Sequence, residues 1–163
     1  MAFIGTQALT RQTTLQTSLF KDWITQSRWR NFWGSGEHFD WWAFPIDADS
    51  GHGDRYNVTP AIAELWQSAE FLNAVLENAQ LLAIGLGYEL TTGVVIDPER
   101  ADHYSVRLYK CGRALHLWGM PTAHRAFVGC VEHLLKDRPV LAKTLDGMLA
   151  HETPALNPLG IDL

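Results

Sequence analysis

The sequence predicts an all-α fold: a compact, single-domain bundle of about five helices around one long central helix. Two observations lead to this prediction. Apolar residues recur at steps of three and four over most of the 163 residues, which is the period of an amphipathic helix. Pro or Gly separates these runs at short intervals. Only Val94, Val95 and Ile96 favour strand geometry, and we interpret the surrounding stretch 89–96 as a loop crossing the core surface.

The central helix is predicted to begin at Thr59–Pro60 and to end at Gly85 and Gly87. Thr59 can accept a hydrogen bond from an early helical N–H, and proline suits the first helical position. The apolar positions form one stripe along it: Ile62, Leu65, Trp66, Ala69, Leu72, Leu76, Ala79, Ala83 and Leu86. Such a helix, of about 25 residues, spans roughly 37 Å. Because it would cross a small domain completely, the other elements must pack on it.

The remaining elements follow from the same signals. We predict a loose N-terminal arm over residues 1–10, a single all-helical domain over 11–152 and an extended C-terminal segment over 153–163. Within the domain, the other helices are predicted from about Arg11 to Arg30, from about Pro98 to Trp118, from Pro121 to about Leu134, and over Val140 to Leu149. On the helix after Pro98, Arg107, Lys110 and Arg113 form a local basic strip.

Bulk composition is ordinary for a globular protein, with 47% hydrophobic and 19% charged residues. The net charge of −5 argues against a dedicated nucleic-acid binder, which usually has a basic face. No signal peptide or membrane-spanning run is visible, so we expect a soluble, cytoplasmic protein without a membrane partner. Cys111 and Cys130 lie within apolar helical faces. We interpret both as reduced core thiols, with a disulfide as the alternative.

The unusual feature is the tryptophan content, seven residues in all, concentrated before the central helix. Large aromatic side chains bury roughly 150–250 Å² each, so the segment needs a structural explanation. One interpretation is a plug that caps the helix core. The other is an aromatic-walled pocket for a planar or cationic ligand. The candidate ligand-binding residues are Trp33, Trp41, Trp42, Phe44, Tyr104 and Trp118.

Residues that could carry chemistry are scattered. No nucleophile elbow, phosphate loop, dinucleotide fingerprint or metal signature is present, so we predict no cofactor and no metal. The Asp- and Gly-rich run 47–54 lacks the order of a calcium loop. The candidate catalytic residues are His38, Asp40, His103 and Arg107. His103 and Arg107 share a helix face. They form either a structural pair that ties this helix to the aromatic segment through Asp40, or acid–base and anion-anchoring groups at a pocket wall.

Several of the residues and turns described above follow one another in a characteristic order along the chain. They are Trp42, Phe44, Pro45 and Ile46, then Thr59 and Pro60, then Gly85, Gly87 and Tyr88, then His103 and Arg107, and finally Trp118-Gly119-Met120, Ala123 and Phe127. In order and spacing they resemble the conserved N-terminal domain of the opioid growth factor receptor family, which also has bacterial members. The similarity covers roughly Trp29 to Leu135, and Asp40 and Trp41 depart from the family pattern. The resemblance implies an all-α domain whose molecular activity is poorly defined. The enkephalin binding of the eukaryotic namesake does not transfer.

Three functional hypotheses remain. The first is a ligand- or partner-binding domain without a metal, whose Trp-rich site lies where Trp41, Trp42 and Phe44 meet the His103 helix. Its ligand would be an aromatic or cationic small molecule. The second is a small cofactor-independent enzyme, of a cyclising or tailoring type, that uses His and Asp as acid–base groups. The third is an interaction protein that forms a homodimer through its aromatic surface.

Overall fold

The computed structural model describes residues 2–34, 37–100, 105–136 and 153–163. Its helices are α1 (Thr6–Thr25), α2 (Asp40–Ala43), α3 (Ile62–Leu65), α4 (Ala69–Gly85), α5 (Ser105–Leu117) and α6 (Pro121–Leu135), with 3₁₀ turns at Trp29–Phe32 and Thr59–Ala61 and strands β1 (Tyr88–Glu89) and β2 (Val94–Val95). The predicted all-α class is therefore confirmed. The predicted helix over Val140 to Leu149 lies outside the described residues, as do His103 and Tyr104.

Helix α1 begins at Thr6, so the prediction of a loose arm up to residue 10 and a helix from Arg11 to Arg30 is wrong at both ends. Its buried side is unusual, because Thr13, Gln16 and Thr17 lie between the apolar residues Leu9 and Phe20. A search for apolar periodicity misses such a stripe. The buried polar groups are accommodated because they find hydrogen-bond partners on neighbouring elements.

Helix α1 packs along α4, and Asn78 of α4 lies at the centre of this contact with no exposed surface. Its side-chain oxygen accepts a hydrogen bond from the hydroxyl of Thr17 at 2.6 Å. Its amide nitrogen donates to the carbonyls of Thr13 at 3.2 Å and Ala43 at 3.4 Å. One amide thus connects α1, α2 and α4 inside the core.

The predicted single helix from Thr59 to Gly85 is divided in two, which corrects the sequence prediction. The break lies at 66–68, where Ser68 adopts an extended backbone and its side chain accepts a hydrogen bond from the Phe71 N–H at 3.2 Å. Ser68 therefore acts as the N-cap of α4. The Trp66 indole turns away and donates to the Leu117 carbonyl at 3.1 Å. Helix α4 remains the central element, since it contacts α1, α2, α5 and α6.

After α4 the chain forms a short hairpin, in which Tyr88–Glu89 pairs antiparallel with Val94–Val95. The stretch predicted as a loop thus contains two short strands. Residues 98–100 form a turn rather than the predicted helix start, the described part of the next helix, α5, covers Ser105–Leu117, and α6 begins at Pro121 as predicted. Of the helices in the described ranges, none has the length and apolar character needed to cross a membrane.

The two cysteines are free thiols in the core, in agreement with the prediction. Burial raises the pKa of the Cys111 thiol well above its ordinary value, and the nearby Cys130 raises it further. Burial also raises the pKa of Cys130 to about 12. Both side chains therefore remain protonated and unreactive around neutral pH.

Candidate functional site

Three of the six aromatic residues proposed as ligand-binding groups belong to the core. Trp118 and Phe44 have no exposed surface, and Trp33 is almost fully buried. The indole of Trp118 donates to the Pro45 carbonyl at 3.0 Å and packs edge-on against Phe71. These contacts fit the interpretation of the segment as a plug over the helices.

Trp42 is partly buried, and it too is engaged in tertiary contacts. Its indole N–H donates to the side-chain oxygen of Gln16 at 2.9 Å, and its carbonyl accepts from the hydroxyl of Thr13 at 2.8 Å. Trp42 thereby attaches α2 to the buried side of α1. Trp41, the other indole of α2, contacts a different set of residues.

Trp41 is also partly buried, but it lies among other rings, a set that we call the indole–imidazole cluster: His38, Trp41, His52 and Tyr56. The His38 ring is parallel to the indole within 5°, with centroids 4.5 Å apart. The His52 ring is tilted by 72° at 4.2 Å, and Tyr56 lies at 6.4 Å. Both imidazoles are exposed, whereas Tyr56 is buried.

A glycine turn allows this cluster to form. A Cβ atom at Gly51 would lie 3.1 Å from Cζ2 of Trp41, a tight contact that the glycine avoids. The loop closes where Ser50 and Gly53 exchange backbone hydrogen bonds, and Gly53 has φ of 63°. A glycine takes this conformation at little cost. The Asp- and Gly-rich loop, which lacks the order of a calcium site, therefore brings His52 against Trp41.

Arg107 holds the segment that precedes this cluster. Its guanidinium, fully buried, donates to the backbone carbonyls of Phe32, Gly34 and Glu37, the Gly34 contact being 2.7 Å. It also lies over the Phe39 ring, 4.2 Å from the centroid. One planar cation with several donors can satisfy such a converging set of carbonyls. These contacts match the structural interpretation of Arg107.

Asp40 has its ion pair with Lys110, one turn after Arg107, at 3.8 Å. Both side chains are almost completely buried. Desolvation lowers the pKa of the Lys110 ammonium, and the negative charge of Asp40 partly offsets this effect. Arg113, a further turn along, pairs with Asp47 at 3.2 Å. The sequence indicates Lys110 only as a member of the basic strip, through its spacing of three from Arg107, and does not indicate Asp40 as its partner.

The basic strip of α5 therefore faces the aromatic segment inside the protein. Arg107, Lys110 and Arg113 contact successive parts of the stretch 32–47. The charged ends of these three side chains are thus engaged within the protein. Of the candidate catalytic residues, the structure places His38 at the surface and Asp40 and Arg107 inside, while His103 lies outside the described ranges.

Other polar features lie away from the cluster. A groove of about 490 Å³ runs between α1 and α3–α4, and its walls include Gln7, Arg11 and Glu64. The rings of His116 and His124 lie 5.7 Å apart where α5 meets α6. Among the described residues, no group of three or more His, Cys, Asp or Glu side chains is arranged to hold a metal ion.

Comparisons with known proteins place the chain in no family. The resemblance to the opioid growth factor receptor domain therefore stays a prediction made from order and spacing. No family model, no curated protein and no solved structure matches this chain.

Proposed function

We propose that this helical domain is a ligand-binding module whose site is the indole–imidazole cluster, and that its ligand carries a planar cationic ring. One observation carries the proposal: the exposed His38 ring stacks on Trp41 in the position that a planar ligand would take. An imidazole at the surface can rotate away at small cost, and the indole face then becomes available. Tryptophan is the aromatic side chain that binds cations most strongly.

The charge around the cluster supports a cationic rather than an anionic ligand. His52 belongs to a loop that carries Asp49 and Asp54, and Glu37 precedes His38. These three carboxylates exceed the one cation of the loop, Arg55, which lies 5.7 Å from the centre of the Tyr56 ring, while Asp47 is paired with Arg113. The whole chain has a net charge of −5. A negative field raises the local concentration of cations and opposes anions. Because the indole is partly exposed, we expect weak binding of a single-ring probe, with Kd of roughly 0.1–1 mM.

The enzymatic alternative has less support. It requires His38 and Asp40 to act on one substrate, but Asp40 is buried and paired with Lys110, whereas His38 is exposed. The homodimer alternative uses the same exposed rings as the ligand site. A dimer would be detected as a mass that rises with protein concentration, together with burial of His38 and His52.

The experiment follows the imidazole resonances of the full chain by NMR. We expect N-methylpyridinium to shift the His38 and His52 signals in the low millimolar range, and tetramethylammonium, a cation without a planar ring, to shift them less. Trp41→Leu should abolish the response. The matched control is Trp29→Leu, because Trp29 is also partly buried but already lies under Arg100, 3.7 Å from the guanidinium carbon.

No shift of either imidazole at about 10 mM N-methylpyridinium, ten times the weakest expected Kd, would remove the ligand site. An unchanged response in Trp41→Leu would place the probe elsewhere.

A further inference from the structure

The C-terminal segment, residues 153–163, lies against the turn between α5 and α6. The carbonyl of Gly119 accepts hydrogen bonds from the Asn157 backbone N–H at 2.8 Å and from its side-chain amide at 3.1 Å. Gly119 has φ of 65°, and a Cβ there would lie 2.7 Å from the Ala155 oxygen and the Asn157 nitrogen. The turn thus admits the segment only because residue 119 is glycine.

Asp162 forms the second attachment, at the first turn of α6. Its two carboxylate oxygens accept hydrogen bonds from the Thr122 and Ala123 backbone N–H groups, each at 2.8 Å. The residue in the N-cap position, Met120, provides no side-chain cap. Asp162 therefore satisfies helical donors that a local Ser, Thr, Asn or Asp usually serves, and its charge suits the positive end of the helix dipole.

The segment holds its own shape between these two contacts. The Asn157 side-chain oxygen accepts from the N–H groups of Leu159 at 3.2 Å and Ile161 at 3.1 Å, and its amide donates to the Ile161 carbonyl at 2.6 Å. Gly160 turns the chain with φ of 69°. A single asparagine thus organises a compact turn that presents Asp162 to α6. A preorganised peptide loses little entropy when it docks.

Apolar burial contributes little to holding the segment. Leu156 is 51% exposed and Leu159 is 41% exposed, while Ile161 and Leu163 are only partly covered. Segments with few buried apolar contacts open at lower free energy than the core does. The segment is therefore held mainly by directed hydrogen bonds to the backbone of the α5–α6 turn.

We propose that the α5–α6 turn is a peptide-binding site whose resident ligand is the chain's own segment 153–163. Peptides with an asparagine, a turn and an acidic residue five positions after the asparagine compete for it. The pattern follows from Asn157 and Asp162, whose side chains make the contacts to the turn. A free peptide must displace a segment that belongs to the same chain, so a competitor succeeds where the resident segment is weakened.

The first test measures amide hydrogen exchange of the full chain by NMR. We expect the Thr122 and Ala123 amides to exchange faster than the Leu82 amide of α4, because the segment opens without global unfolding. Asp162→Asn should accelerate them roughly tenfold, because asparagine offers one acceptor oxygen to the two N–H groups and no negative charge to the helix dipole. The matched control is Glu132→Gln, which removes one exposed acidic charge elsewhere on α6 and should leave both rates unchanged.

The second test adds an acetylated and amidated peptide of residues 153–163 to the Asp162→Asn chain. We expect millimolar peptide to slow exchange at Thr122 and Ala123, and a peptide with Asn in place of Asp162 to have no effect. Equal wild-type rates at Thr122, Ala123 and Leu82 would overturn the proposal, since the segment would then open only with the whole domain. So would an inactive peptide, or a Glu132→Gln chain that behaves like Asp162→Asn.

Discussion

Replacing Arg107 by methionine should destabilise the domain far more than the same replacement of Arg113. Both arginines belong to the basic strip of α5. Arg107 is fully buried and donates to several backbone carbonyls, whereas Arg113 makes one ion pair with the partly exposed Asp47. Methionine retains much of the apolar bulk of the side chain and removes the charge and the donors, so the two variants differ in what they leave unpaired.

The magnitude can be worked from the contacts. A hydrogen bond from a charged donor contributes about 1.5–3 kcal/mol, and an orphaned buried acceptor costs about 1–3 kcal/mol. The carbonyls of Gly34 and Glu37 lie at exposed positions and regain water, while that of the buried Phe32 does not. Loss of the cation over the buried Phe39 ring adds about 2 kcal/mol, the value for a desolvated pair. Relief of the desolvated charge offsets part of this loss. We therefore expect Arg107→Met to cost about 2–4 kcal/mol and Arg113→Met less than about 1 kcal/mol.

Urea unfolding followed by circular dichroism at 222 nm measures both free energies of unfolding. Against a domain stability of about 5–15 kcal/mol, the expected loss for Arg107→Met is large. An unchanged denaturant slope shows that both variants unfold from the same compact state. If Arg107→Met costs no more than Arg113→Met, the carbonyls around Arg107 are solvated or paired without it, and the structural role assigned here is refuted.

Two further predictions concern packing and pH. Gly85→Ala should lower the melting temperature, because its Cβ would lie 2.6 Å from the Phe32 ring and overpacking costs about 1–3 kcal/mol. Gly129→Ala is the control, because it has open space around it and should gain up to about 1 kcal/mol of helix propensity. Equal melting temperatures of the two variants would contradict this prediction. The raised pKa values of Cys111 and Cys130 mean that their contribution to stability is complete below the unfolded value of 9.0 and falls as pH rises toward 12. In urea unfolding, the wild type should exceed the double variant Cys111→Ala/Cys130→Ala in free energy of unfolding by an amount that decreases above pH 9. A constant difference from pH 7 to about 10.5 would contradict this prediction.

The helical class could be predicted from the sequence because apolar periodicity reports buried faces directly. The errors arose where other forces set the boundary. Thr13, Gln16 and Thr17 are polar yet buried, and their hydrogen bonds to α2 and α4 are invisible to a periodicity search. Ser68 lies within a continuous apolar helical pattern in the sequence. Its role as an N-cap is evident only from its extended backbone conformation in the structure.

The candidate site was predictable in its residue types but less so in its pairings. The basic strip was visible from the spacing of Arg107, Lys110 and Arg113. The partners of these three side chains lie about 70 residues away along the chain. A single sequence does not indicate which carboxylate or carbonyl binds which cation. The sequence indicates Trp41 as a candidate ligand-binding residue. The stacking of His38 on it depends on the backbone conformation of the residues between them, which the sequence pattern does not report.

The amide of Asn78 has a consequence for how α1 and α4 align. Its hydrogen bonds to Thr13, Thr17 and Ala43 exist in one alignment of the two helices. Sliding α1 by a turn, about 5.4 Å, would separate this buried amide from the Thr13 carbonyl and the Thr17 hydroxyl, while its bond to the Ala43 carbonyl of α2 would remain. An apolar contact would lose no hydrogen bond in the same slip, so the asparagine favours the observed register of the largest helix pair.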